Sequence, residues 1–253
     1  MSEVSTVTRV LYINPVRDDD VDERALLQEA AGEKTNIVYR SLGGGPDHLQ
    51  FGFQRALVIP RIMQMIRQAE AERFDAAIVG CFLDPGVEEG RGLVTRTLVI
   101  GPGEASLHLA ATLGARFSVL TTCTTYIPEV RRLLANQGLA TRLASIHSFG
   151  VDVPDLQLDR EKTVSRLLSA ARDGLDAGAE VLVVGCTGAH GFHEVLQSAL
   201  HLPVIEPGIA ALKFAELAVE LRDRFGWQYS KIGGYTTPAP EEILRSGLDS
   251  YRF

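Results

Sequence analysis

The chain has 253 residues, 45% of them hydrophobic and 23% charged, with a formal net charge of −7. Such a composition belongs to a soluble globular protein with length enough for a sizeable core, as one large domain or two ordinary ones. The acidic balance and the lack of a Lys/Arg cluster argue against nucleic acid or an anionic membrane surface as partner, and no apolar run has the length of a bilayer-spanning helix.

In chain order, short β-branched runs alternate with longer amphipathic ones. The polar start, MSEVSTVTR, lacks the pattern of a secretory signal, so a cytoplasmic location is expected. Arg9–Asn14 reads as a strand, the run from Val21 as a helix, and Thr35–Leu42 as a strand ending in Gly43-Gly44-Gly45-Pro46. A long helical stretch follows, with a bend expected at Pro60. Then come AAIVG, a short helix, TLVIG and a helix from about Glu104. The second half repeats the theme with RFSVLTT, a helix from about Ile127, RLASIHS, and a helix from Asp159 to Ala177. EVLVVG, a helix, PVIE and a helix to about Phe225 complete it. The strands are nearly all-apolar rather than alternating, as in parallel sheets covered on both faces by helices, so the class is α/β.

The two halves share more than a pattern. At an offset of 105, the separation of Cys81 and Cys186, residues 75–110 and 180–215 are identical at twelve of thirty-six positions. Among them are Gly80/Gly185, Cys81/Cys186, Pro102/Pro207 and Gly103/Gly208. Shared apolar patterning does not align Gly-Cys and Pro-Gly at one offset, so an internal duplication is inferred. The expected architecture is two similar lobes of mostly parallel sheet flanked by helices, with the active site in the cleft between them. The first lobe is placed at residues 1–104, completed by 212–253, and the second at 105–211.

Functional groups gather beyond the C-terminal ends of parallel strands, where Cys81 and Cys186 both fall. Each is expected to precede a helical stretch whose free N–H groups lower the thiol's pKa. A thiol on each side of one carbon suits a two-base inversion: one thiolate removes a proton and the opposite thiol returns one to the other face. The proton must lie beside a carbonyl, so that negative charge spreads onto oxygen held by N–H and hydroxyl donors. No metal or cofactor is required, and none of Lys34, Lys162, Lys213 or Lys231 sits in a Schiff-base motif. Taken singly, each cysteine is equally a buried packing residue, and Cys123 is read that way or as a neighbour of the site.

With GCFLDPG, VIGPGEAS and the opening INP, the chain resembles the aspartate/glutamate/hydantoin racemase superfamily, and most closely its hydantoin and allantoin racemase branch. The likeness runs from Asn14 to about Phe225. It implies two pseudo-symmetric α/β domains with Cys81 and Cys186 as opposed acid/base residues. It further implies that Asn14, Phe82, Thr121, Thr122, Thr187 and Gly188 line the substrate pocket. The sequence departs from the branch at Leu83, where an acidic residue is usual, and in the Cys-Thr-Gly-Ala-His run after the second cysteine. The implied function is a cofactor-independent racemase or epimerase of a hydantoin-like ring or a related amide, acting on a small molecule as a homo-oligomer. The alternatives are a maleate-isomerase-like or arylmalonate-decarboxylase-like enzyme, with Tyr126 as oxyanion donor in the latter, or a non-catalytic small-molecule binding protein.

Other signals are weaker. His190 and His193, with Cys186, lack a fourth metal ligand and read as a helix-surface pair. The glycine cluster has no P-loop ending; His48 and Gln50 after it either touch ligand or lie at the surface. Trp227 and FAELAVELRDRF read as an amphipathic helix with an aromatic anchor, placed in the core or at a subunit contact. Tyr235 either closes over the cleft or belongs to a turn-rich arm.

Overall fold

The structure, a computed structural model, describes residues 7–252. Two four-stranded sheets, all parallel, carry the fold. The first joins β1 (Thr8–Asn14), β2 (Thr35–Ser41), β3 (Ala76–Val79) and β4 (Leu98–Ile100) in the order β2-β1-β3-β4. The second joins β5 (Phe117–Thr121), β6 (Leu143–Ser148), β7 (Val181–Val184) and β8 (Val204–Ile205) in the equivalent order β6-β5-β7-β8. The register repeats as well, with Ile13 opposite Val79 in one sheet and Leu120 opposite Val184 in the other. β3, β5 and β7 are buried along their whole length, which is why they read as unbroken apolar runs.

Two helices start where an aspartate side chain satisfies their first N–H groups. Asp20 caps α1 (Val21–Ala30) by accepting from the N–H groups of Asp22 and Glu23. Asp159 caps α6 (Arg160–Asp176) through Lys162. Between these lie α2 (Gly52–Ala71), α3 (Val87–Leu93), α4 (Pro102–Leu113) and α5 (Ile127–Asn136). α2 runs unbroken through Pro60, where it gives up one backbone hydrogen bond. α7 (His193–Leu200) and α8 (Pro207–Phe225) follow, then α9 (Pro240–Arg245).

The chain divides into two compact units. One takes the chain up to Gly80, Asp84–Gly101, and everything from Leu212 onward; the other takes Cys81–Leu83 and Pro102–Ala211. In the first unit the buried Arg222 of α8 forms an ion pair with Asp75 at 2.9 Å and donates to the Asp75 and Arg96 carbonyls. The tail beyond α8 covers the edge strand β4. The Tyr229 hydroxyl accepts from the Val99 N–H and donates to the Val99 carbonyl, at 3.0 and 2.6 Å. Tyr235 is committed to the same layer: its ring meets Tyr229 edge-on, and the Arg91 guanidinium lies over both. Trp227 is 66% exposed against a 55% exposed Phe225, which overturns a core placement for this aromatic pair.

Candidate active site

The two Gly-Cys steps are built alike. Gly80 donates its N–H to the Ile13 carbonyl at 2.8 Å, and Gly185 donates to the Leu120 carbonyl at 2.7 Å. Neither position admits a side chain. A Cβ on Gly80 would stand 2.5–2.7 Å from the Tyr12 ring, and one on Gly185 2.8 Å from Val119 Cγ1 and 3.0 Å from the Leu120 carbonyl oxygen. Each glycine ends its strand's ladder under an inward side chain, and the next residue, a cysteine, leaves the sheet half-buried with an unoxidised thiol. Cys81–Leu83 and Cys186 both fall in the second unit.

The helical stretch expected after each cysteine follows only across a turn. α3 begins at Val87 and α7 at His193, six or seven residues on. Asp84 and Gly86 adopt φ of +51° and +75°, so the chain after Cys81 turns instead of coiling. After Cys186 a single 3₁₀ turn over Thr187–Ala189 is closed by the Ala189 N–H on the Cys186 carbonyl at 3.1 Å. The anion-favouring groups near the thiols are therefore turn amides rather than the end of a long helix dipole.

The Cys186 turn is held from outside by Gln157, a residue the sequence reading passed over. Its Nε2 donates to the carbonyls of Gly188 and His190 at 3.0 and 3.2 Å. Gly188 lies beside the thiol: a Cβ there would be 3.7 Å from Cys186 Sγ. At the end of the neighbouring strand β5 lie Thr121 and, just beyond it, Thr122, both fully buried. Their carbonyls accept from Phe149 and Gly150 at 2.9 Å, yet both hydroxyls lack a partner. Two adjacent buried hydroxyls without partners are uncommon and suit a bound polar molecule. Cys123, next in the chain, shares a hydrogen bond with the Thr125 hydroxyl at 2.9 Å.

The remaining expected pocket residues divide. Thr187 is buried in the Cys186 turn, and Phe82, 2% exposed, is buried directly after Cys81. In the first unit, the Asn14 amide donates to the Asp18 carbonyl at 2.9 Å and to the Ser41 hydroxyl at 3.3 Å, tying the end of β1 to its neighbours. His48 accepts from the Gln50 N–H within the loop before α2.

His190 and His193 are not a surface pair. His190 is buried in the turn before α7, and burial pushes the half-buried His193 imidazole below its usual range. Among the described residues no group of three or more His, Cys, Asp or Glu side chains is placed to hold a metal ion. A carboxyl that the sequence reading missed, Glu206, is 4% exposed where α8 begins. Its Oε2 accepts the Ile209 N–H at 2.5 Å and its Oε1 lacks a partner. Burial raises its pKa against the opposing pull of the Ile209 and Gly208 N–H groups and of His190.

Two equivalent parallel sheets, each followed after its third strand by Gly-Cys, define an α/β protein of duplicated build. A family model described as Asp/Glu/Hydantoin racemase matches residues 23–215. The chain belongs to that family, and its enzyme class is that of the racemases. A hydantoin racemase from Paenarthrobacter aurescens is 32% identical over 244 residues, 93% of this chain and 100% of the relative. One from Pseudomonas sp. (strain NS671) is 32% identical over 218 residues, 86% of each chain. Among solved structures, allantoin racemase from Pseudomonas fluorescens superposes with a TM-score of 0.82 at 28% identity, covering 92% of this chain and 97% of that one.

Proposed function

We propose that this chain is a cofactor-independent racemase of a 5-substituted hydantoin or a related cyclic amide, with Cys81 and Cys186 as its two acid/base groups. The observation that carries the reading is the equivalence of the two thiols: each is unoxidised and each follows a glycine that can be nothing else. The relatives named hydantoin racemase and allantoin racemase support the substrate class.

The chemistry follows from the residues. One thiolate takes the proton from the ring carbon beside the carbonyl, and the electron pair moves onto the carbonyl oxygen. The opposite thiol then gives its proton to the other face, and the two cysteines end with their protonation states interchanged. Because the carbonyl takes up the charge, the step calls on no metal or cofactor. The unpartnered Thr121 and Thr122 hydroxyls are the donors we assign to that oxygen or to the ring amides. The turn amides at Thr187 and Gly188, on a turn that Gln157 holds by its carbonyls, supply further donors. Asn14 and Phe82 complete the proposed lining, and free thiols suit a reducing, cytoplasmic setting.

The test is loss of optical rotation from single enantiomers of 5-substituted hydantoins and of allantoin. Cys81→Ser and Cys186→Ser are each expected to lower racemisation by about 10²–10⁴-fold, the contribution of a positioned acid or base. Intact racemisation in either variant overturns the two-cysteine assignment. A covalent adduct with maleate, detected by mass spectrometry, would instead favour isomerisation through a nucleophilic cysteine.

A further inference from the structure

The duplication contains a swap. At the offset of 105, residue 84 is equivalent to 189, and residue 101 to 206. In the second half, Glu206 occupies the position just before the 19-residue helix α8, and its carboxyl takes the Ile209 N–H. Residue 189, the equivalent of Asp84 in the turn after Cys186, is Ala189, fully buried. In the first half the arrangement is inverted. The position just before the 12-residue helix α4 is Gly101, and the acid is Asp84, in the turn after Cys81. A Cβ on Gly101 would stand 2.4 Å from Asp84 Cγ and 2.5 and 2.6 Å from its two carboxylate oxygens.

The Asp84 carboxylate thus fills the space that a side chain at 101 would need. Each half thus carries one acid at these two equivalent positions, in the turn in the first half and just before the helix in the second. A second acid at 101 would set two carboxyls side by side, which repel. Asp84 holds a left-handed backbone, φ +51°, to deliver its group, a conformation costly for a non-glycine residue. On the other side, His190, four residues after Cys186, bears electrostatically on the Glu206 carboxyl.

We propose that Asp84 and Glu206 are equivalent positioning residues: each carboxyl pins the turn that follows one cysteine to the start of the next helix, and so aims the thiol of its own half. The inference deepens the two-cysteine reading and rests on it. It also explains why neither acid shows in an ungapped comparison of the halves, where both positions count as mismatches.

The test follows proton exchange from each pure substrate enantiomer in D2O, by NMR, for Cys81→Ser, Cys186→Ser, Asp84→Ala and Glu206→Ala. Asp84→Ala is expected to slow exchange of the enantiomer that Cys81→Ser no longer exchanges, on the order of 10- to 100-fold, as misplacement of a reacting group does. Exchange of the other enantiomer stays near the wild-type rate, and Glu206→Ala gives the mirror result. Asp84→Asn and Glu206→Gln, which keep an acceptor oxygen, restore most of the loss. Equal slowing of both enantiomers overturns the positioning role while leaving the two-cysteine reading in place; if the cysteine variants show no such selectivity, the reading falls and the positioning role with it. The swap has its own readout in thermal unfolding. Gly101→Ala is expected to lower Tm in the wild-type background but not on Asp84→Ala. An equal loss in both backgrounds overturns the swap.

Discussion

At the scale of single residues, the site depends on side chains that are absent. Gly80 is glycine because the Tyr12 ring occupies the place of its Cβ, and that ring cannot step aside. The Tyr12 hydroxyl donates to Glu23 Oε1 at 2.7 Å, its ring stacks on Tyr39 at 5.2 Å, and Tyr39 donates to Glu23 Oε2 at 2.6 Å. Burial, with the neighbouring Glu23 charge, drives the Tyr39 hydroxyl far above the usual tyrosine range, so it remains a donor at every working pH. Gly80→Ala is therefore expected to cost about 1–3 kcal/mol, as overpacking does, and to lower turnover by displacing Cys81. Urea denaturation alongside the racemisation assay checks both; a variant as stable and as active as wild type contradicts this account of the glycine. The sequence made Gly80 and Gly185 conspicuous by repetition, but the reason for them lies in Tyr12 and Val119, on strands far away in the chain.

At the scale of elements, α8 is fastened to the first sheet by one buried ion pair. Arg222 and Asp75 have side chains 6% and 14% exposed. Burial works to raise the Asp75 carboxyl, but the Arg9 N–H and the Arg222 and Arg96 guanidiniums hold it below the usual carboxylate range. Removing one partner strands the other, so Arg222→Ala is expected to destabilise by about 3–5 kcal/mol, measured by chemical denaturation. The pH dependence has a definite sign. Because the folded-state value lies below the unfolded one, the pair's stabilisation is present above about pH 4, the carboxylate reference, and is lost as the pH falls through the folded value. The wild type should thus lose stability in acid more steeply than Arg222→Ala; parallel acid titrations of Tm would contradict the assignment. Nearby, Tyr229 closes the hydrogen-bonding edge of β4 with a single hydroxyl, a use of the tail no sequence motif announced.

At the scale of the whole molecule, the fold was legible because it was written twice. Parallel pairing and helix placement follow from all-apolar runs at matched spacing, and the strand and helix bounds fall within a few residues of those read from sequence. The reading failed where local turns outweigh periodicity. Helix starts were expected to bear on Cys81 and Cys186, but the Asp84-Pro85-Gly86 turn and the 3₁₀ turn over Thr187–Ala189 intervene. His190 was taken for a helix-surface residue, although it precedes α7 and is buried. Gln157 acts across 31 and 33 residues through main-chain carbonyls, which leave no side-chain signature at the receiving end. Asp84 and Glu206 were hidden for a different reason: their roles correspond while their positions do not.

The most direct test of the central claim takes each pure enantiomer of a racemised substrate with Cys81→Ser and with Cys186→Ser in D2O, following deuterium at the stereocentre. The account predicts that each variant racemises at least about 10²-fold more slowly than wild type, and that each still exchanges the hydrogen of one enantiomer, the opposite one in the two variants. Racemisation by either variant at the wild-type rate, or exchange of the same enantiomer by both, would contradict it.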